Sequence, residues 1–155
     1  MNQEIQTVLD GKEGYITQGD VLEVLSSMPD GCVQCVVTSP PYWGLRDYGT
    51  EGQLGLEKTP EEYVAKTVEV FREVRRVLRA DGTCWLNLGD SYATQSGSKA
   101  HCKKNTGQEA ARLGGAYIDK THKPPAGLKP KDLIGIPWRV AFALQADGWW
   151  LRSDI

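Results

Sequence analysis

The chain has 155 residues, with 18 lysines and arginines against 20 aspartates and glutamates and a formal net charge of −2. That length predicts one domain, 1–155, with enough chain to bury a core. The charge excludes a molecule that grips nucleic acid with its whole surface, so any such contact needs a local patch.

No run approaches the length of a membrane span, and the opening stretch MNQEIQTVLDGKEG lacks the apolar core of a signal peptide. A cytoplasmic protein with no membrane partner is the expectation. The four cysteines suggest no disulfide framework in such a chain. Cys32 and Cys35 have C-x-x-C spacing, but residues three apart around a strand face opposite sides, so buried small side chains are expected rather than a metal site.

Residues 1–14 are polar and read as peripheral. Tyr15–Thr17 reads as a short strand. A helical stripe follows at Val21, Leu22, Val24, Leu25 and Met28, with Asp20 fitted to its N-cap. Asp20 has a second reading, as a carboxylate at a strand end, where open α/β sheets bind ligands. Pro29-Asp30-Gly31 turns the chain into Val33–Thr38, a short β-branched run that reads as a buried strand.

That strand cannot continue through Ser39-Pro40-Pro41-Tyr42. Each proline lacks an N–H and fixes its own φ, and each pushes the residue before it into an extended shape. The result is a stiff elbow at the strand's carboxyl end, the side of an open α/β sheet where ligands bind. Gly44–Pro60 is long for a connector, which suggests a functional loop. Thr59, Pro60, Glu61 and Glu62 form a helix start. The apolar spacing of Tyr63, Val64, Thr67, Val68, Val70, Phe71, Val74, Val77 and Leu78 predicts a helix over Glu61–Arg79, closed by Asp81-Gly82. Its late arginines read as a solvated face. Thr83–Leu88 reads as a second core strand; Asn87 and Asp90 at its exit receive no chemical role from spacing.

Residues 91–130 show no sustained periodicity and read as a flexible basic insertion. Lys99, Lys103, Lys104, Arg112, Lys120, Lys123 and Lys129 stand against Glu109 and Asp119. Such a loop suits a DNA phosphate backbone, with Lys99, Lys103, Lys104 and Arg112 as candidate substrate-binding residues; a surface insertion without contacts is the alternative. His101, Cys102 and His122 lack metal-site spacing. Lys131–Gln145 reads as a helix in which Pro137 marks a kink or a late start. Trp149–Ile155 reads as the beginning of a strand.

Ser39-Pro40-Pro41-Tyr42 resembles the catalytic tetrapeptide of the amino-group DNA methyltransferases, which methylate cytosine N4 or adenine N6 from S-adenosylmethionine (SAM). Tyr15–Asp20, Leu78–Tyr92, Lys131–Arg139 and Trp149–Asp154 extend the likeness over nearly the whole chain, in the order of the permuted subgroup whose catalytic motif comes first. The resemblance implies part of a Rossmann-like three-layer α/β sheet with helices on both faces, incomplete in this chain, with SAM as cofactor and double-stranded DNA as partner. It implies catalytic Ser39, Pro40, Pro41 and Tyr42. The Ser39 hydroxyl and Pro40 carbonyl would accept the two amino hydrogens, and Tyr42 would stack on a base taken out of the duplex. Trp43 would wall the pocket or simply pack, and Asp20 would lie near the cofactor. A serine at position 39 leans toward cytosine N4.

The family's aromatic-x-Gly-x-Gly turn for SAM is not found in this sequence. The chain is therefore expected to be the catalytic half, needing a C-terminal SAM-binding half or a complementing chain, with a restriction endonuclease as a possible further partner. The rivals are a split-enzyme subunit, a DNA-binding remnant without chemistry, and methylation of a non-DNA amide, whose enzymes carry Asn in place of Ser39.

Overall fold

The computed structural model describes residues 17–93, 116–117 and 127–155. Thr17 belongs to no regular element, and the rest of the strand expected at Tyr15–Thr17 lies outside the described residues. The chain divides into two compact units, one of residues 1–38 and 68–87 and one of residues 39–67 and 88–155.

The first unit opens with helix α1, Val21–Ser26, started as expected by Asp20, whose carboxylate accepts the N–H groups of Leu22 and Glu23. Arg76 secures its other end by donating to the carbonyls of Leu25 and Met28, at 2.7 and 2.9 Å, and pairing with Asp30 and Glu73. One of the late helix arginines thus fastens the chain at the end of α1 rather than standing as a solvated charge.

Strand β1, Val33–Thr38, pairs in parallel with a strand at Leu78–Leu86. The connection between them contains helix α2, Pro60–Val77, which belongs to both units by sequence. Thr59 Oγ1 accepts the Glu62 N–H, and Pro60 enters the first turn where its missing donor costs nothing. Tyr63, Thr67, Val68, Phe71, Val74 and Val77 form its buried stripe.

The helix ends earlier than the periodicity predicts. Leu78 already pairs with Val33, and residues 79–82 stand opposite Gln34 alone before Cys35 meets Thr83. Asp81-Gly82 therefore lies in an irregular stretch of the strand and does not stop the helix, because strand pairing captures Leu78 first. Gly82 is required there: a Cβ would sit 2.8 Å from Leu78 Cγ and 2.9 Å from the Gln34 carbonyl oxygen. Strand β1 is not buried as expected: none of its residues is buried, and Val37 and the Trp85 opposite it are 78% and 52% exposed, because no described element covers that face.

In the second unit, strand β2, Arg46–Asp47, pairs antiparallel with a strand at Ala116–Tyr117. In chain order the strand at Leu78–Leu86 is β3 and that at Ala116–Tyr117 is β4. The basic insertion thus contains a short backbone pairing that its composition did not announce. Helix α3 spans Ile136–Ala146 rather than starting at Lys131, and Pro137 lies in its first turn. Gly135, at φ 79°, cannot cap it with a side chain; Asp90 does so from 45 residues away, accepting the N–H groups of Gly135 and Ile136. Tyr63, Ala93, Ile134, Ile136, Val140 and Leu144 are buried. Trp149–Ile155 forms no strand. Extended backbone becomes a strand only with a neighbour to satisfy its donors and acceptors, and none of the described residues offers it a ladder.

Among the described residues no helix is long and apolar enough to cross a membrane. No group of His, Cys, Asp and Glu there could hold a metal, and Cys32, Cys35 and Cys84 are free thiols; against expectation Cys35 is exposed and Cys32 only half-buried, since the strand that carries Cys35 is not a core strand.

Candidate active site

The strand ends at Thr38, where the double proline forbids further pairing, and the next four residues form the elbow. Ser39 is exposed and Pro40, Pro41 and Tyr42 are half-buried, so the tetrapeptide is open to a ligand. Ser39 Oγ lies 3.2 Å from Tyr42 Oη and donates to it. With its proton directed there, the serine oxygen keeps lone pairs for accepting.

Four features that the sequence reading missed hold this elbow. Tyr63, wholly buried in the first turns of α2, donates its hydroxyl to the Pro41 carbonyl at 3.0 Å. Burial, aided by the negative charge of Glu57, pushes its phenol up to about 12, so it remains a donor at any working pH. Gly89 lies against the Tyr42 ring: a Cβ there would fall 2.6 Å from ring carbons Cδ2 and Cε2. Gly55, at φ 98°, passes close to the backbone, where a Cβ would fall 2.9 Å from the Tyr42 carbonyl oxygen. Glu57 fastens the connector. Its carboxylate, with the side chain 2% exposed, accepts the Gly55 N–H at 2.8 Å and pairs with Lys66, while its carbonyl accepts Trp43 Nε1 at 3.0 Å. Trp43 is thus anchored at its indole nitrogen and half-buried.

The one signal for these positions in the sequence is the pair of glycines, Gly55 and Gly89, in segments that follow regular elements. Nothing local marks Tyr63, which looks like any apolar-face residue.

Asp20 belongs to the other unit, where its carboxylate caps α1. Lys99, Lys103, Lys104 and Arg112 lie outside the described residues. The glycines that permit close approach, Gly55, Gly82 and Gly89, are filled by the chain's own atoms. None of these three therefore leaves a glycine cradle for a nucleoside cofactor such as SAM.

Chemically, the elbow offers an exposed hydroxyl acceptor and a proline carbonyl beside an aromatic ring, on backbone with little freedom to reorganise. A planar NH2 group is the natural complement of two such acceptors.

A family model described as DNA methylase matches residues 33–155. The type II methyltransferase M.XycI of Xanthomonas campestris pv. cyanopsidis is 55% identical over 139 residues, which is 89% of this chain and 44% of that protein. M.Cfr9I of Citrobacter freundii is 54% identical over 139 residues, 89% of this chain and 44% of its own length. M.SmaI of Serratia marcescens is 51% identical over 140 residues, 90% of this chain and 46% of its own length. The chain thus spans less than half the length of these relatives. No solved structure matches.

Proposed function

Given that this chain belongs to the N6/N4 DNA methylase family of amino-methyltransferases, we propose that it carries the base-gripping half of a DNA methyltransferase. Its substrate is the exocyclic amino group of a base flipped from the duplex, with cytosine N4 favoured over adenine N6. SAM is the methyl donor, held chiefly by the SAM-binding half. This half would sit in a Rossmann-like three-layer sheet completed by a SAM-binding half, in cis or as a second polypeptide.

The observation that carries this reading is the open elbow, with Ser39 Oγ 3.2 Å from Tyr42 Oη and the backbone behind it tied to α2. An exocyclic amino nitrogen is a weak nucleophile because its lone pair is delocalised into the ring. Ser39 Oγ and the Pro40 carbonyl accept its two hydrogens, which draws that pair back onto nitrogen and aims it. Tyr42 stacks on the base, which must leave the helix because its amino group is otherwise paired. Trp43, pinned by Glu57, walls the pocket. These groups act by position and polarity.

Lys99, Lys103, Lys104 and Arg112 supply phosphate contacts that hold the duplex while the base is out. Any service of Asp20 to the cofactor comes in addition to its cap. The names of the relatives, which are type II methyltransferases, favour a paired restriction endonuclease as functional partner.

The test is methyl transfer from tritium-labelled SAM to duplex DNA by the active assembly, meaning this chain with its SAM-binding half. S39A and Y42A should each abolish transfer, and the methylated base identified by mass spectrometry should be N4-methylcytosine. The isolated chain, titrated calorimetrically with SAM, should bind weakly and turn over little. Full activity in S39A would overturn the proposal.

A further inference from the structure

We propose that Tyr63 is the positioning residue that directs the elbow, acting through the Pro41 carbonyl; this rests on the role given above to residues 39–42. A proline ring fixes φ but leaves ψ free. A residue that precedes a proline is confined to extended ψ as well. Ser39 is therefore confined by Pro40, and Pro40 by Pro41. Pro41 is followed by Tyr42, so its ψ has no local constraint, and that torsion sets where the Tyr42 amide points and carries the ring with it.

Tyr63 supplies the missing constraint from 22 residues away. Turning Pro41 ψ would swing the carbonyl off the Tyr63 hydroxyl. The same turn would lift Tyr42 from its seat on Gly89 and from the Ser39 hydroxyl. Tyr63 can bear this load because it is fully buried near the start of α2, where the Thr67 hydroxyl donates to its carbonyl at 2.8 Å. The bond also sorts the two proline carbonyls. That of Pro41 is taken by Tyr63, which leaves that of Pro40 to face the amino group.

Y63F removes one oxygen and keeps the ring. In the chain itself, hydrogen exchange at the Gly44 and Leu45 amides, which bond to Gly55 and Tyr42 carbonyls, should speed up about tenfold or more as the elbow loosens. In the active assembly, kcat should fall roughly 10- to 100-fold, the scale of a misplaced reacting group, with KM for DNA little changed. V74A truncates a buried side chain about three turns along the same helix and should change neither readout. Wild-type exchange and kcat in Y63F, or an equal kcat loss in V74A, would overturn the proposal. Should Y63F not fold, the wild-type chain decides: its Tyr63 hydroxyl proton should be slow to exchange by NMR, with an Overhauser contact to Pro41, and its absence would overturn the idea. Inactive S39A beside fully active Y63F defeats only the role of Tyr63, whereas active S39A defeats the function on which it rests.

Discussion

Gly89→Ala is the sharpest perturbation of the site, because it adds one methyl group and nothing else. Gly89 is not among the glycines with positive φ, so alanine meets no backbone penalty. The new Cβ would fall 2.6 Å from Cδ2 and Cε2 of Tyr42. Ordinary contact begins near 3.4 Å, so the ring must retreat by about 0.8 Å. It cannot do so freely, since its outer end is bonded to Ser39 and its backbone oxygen faces Gly55. Overpacking of this kind costs about 1–3 kcal/mol of stability. The larger effect is on chemistry, because a displacement near 1 Å at the reacting centre costs on the order of 100-fold. Methyl transfer from labelled SAM to duplex DNA should fall by roughly 10- to 100-fold, while circular dichroism shows a folded chain. A folded G89A protein that transfers methyl at the wild-type rate would refute the claim that the ring's seat sets the geometry of reaction.

Asp90→Ala removes the cap that reaches α3 from a distant segment and should destabilise the chain by about 1–2 kcal/mol in urea unfolding. Gly82→Ala places a methyl against the Gln34 carbonyl, which cannot move aside, and should cost about 1–3 kcal/mol, read as a lower melting temperature. Burial pushes the Cys84 thiol up to about 11 and the Tyr63 phenol up to about 12. Both groups keep protons in the folded state that the unfolded chain releases first, at ordinary values of 9.0 and 10.0. Stability should therefore fall as pH rises above about 9, and mass-mapped alkylation at pH 8 should label exposed Cys35 well before Cys84. Replacing Lys99, Lys103, Lys104 and Arg112 by alanine should weaken DNA binding and flatten its salt dependence, by a slope of about 0.9 for each phosphate that is no longer neutralised.

Local chemistry made much of this molecule legible in advance. Asp20 as a cap, Val33–Thr38 as a strand, Thr59-Pro60 as a helix start and the break at Ser39-Pro40-Pro41 all follow from constraints within a few residues. The boundary errors share one cause. Leu78 fits the helical stripe and also fits a ladder, and pairing with Val33 settles it as strand. Lys131–Ile134 extends the helical reading, yet the helix begins where the Asp90 carboxylate meets it, at Gly135 and Ile136. Trp149–Ile155 has strand composition, but composition supplies no neighbouring strand.

The site divides in the same way. By itself the sequence determined the elbow, because a proline ring and its effect on the residue before it are covalent facts that operate wherever the chain goes. Only the tertiary structure decided what holds that elbow: a tyrosine on α2, a glycine after β3 and a glutamate in the connector, each brought to it from far along the chain. Hydrogen bonds and close contacts depend on distance in space, and separation in sequence does not reveal it.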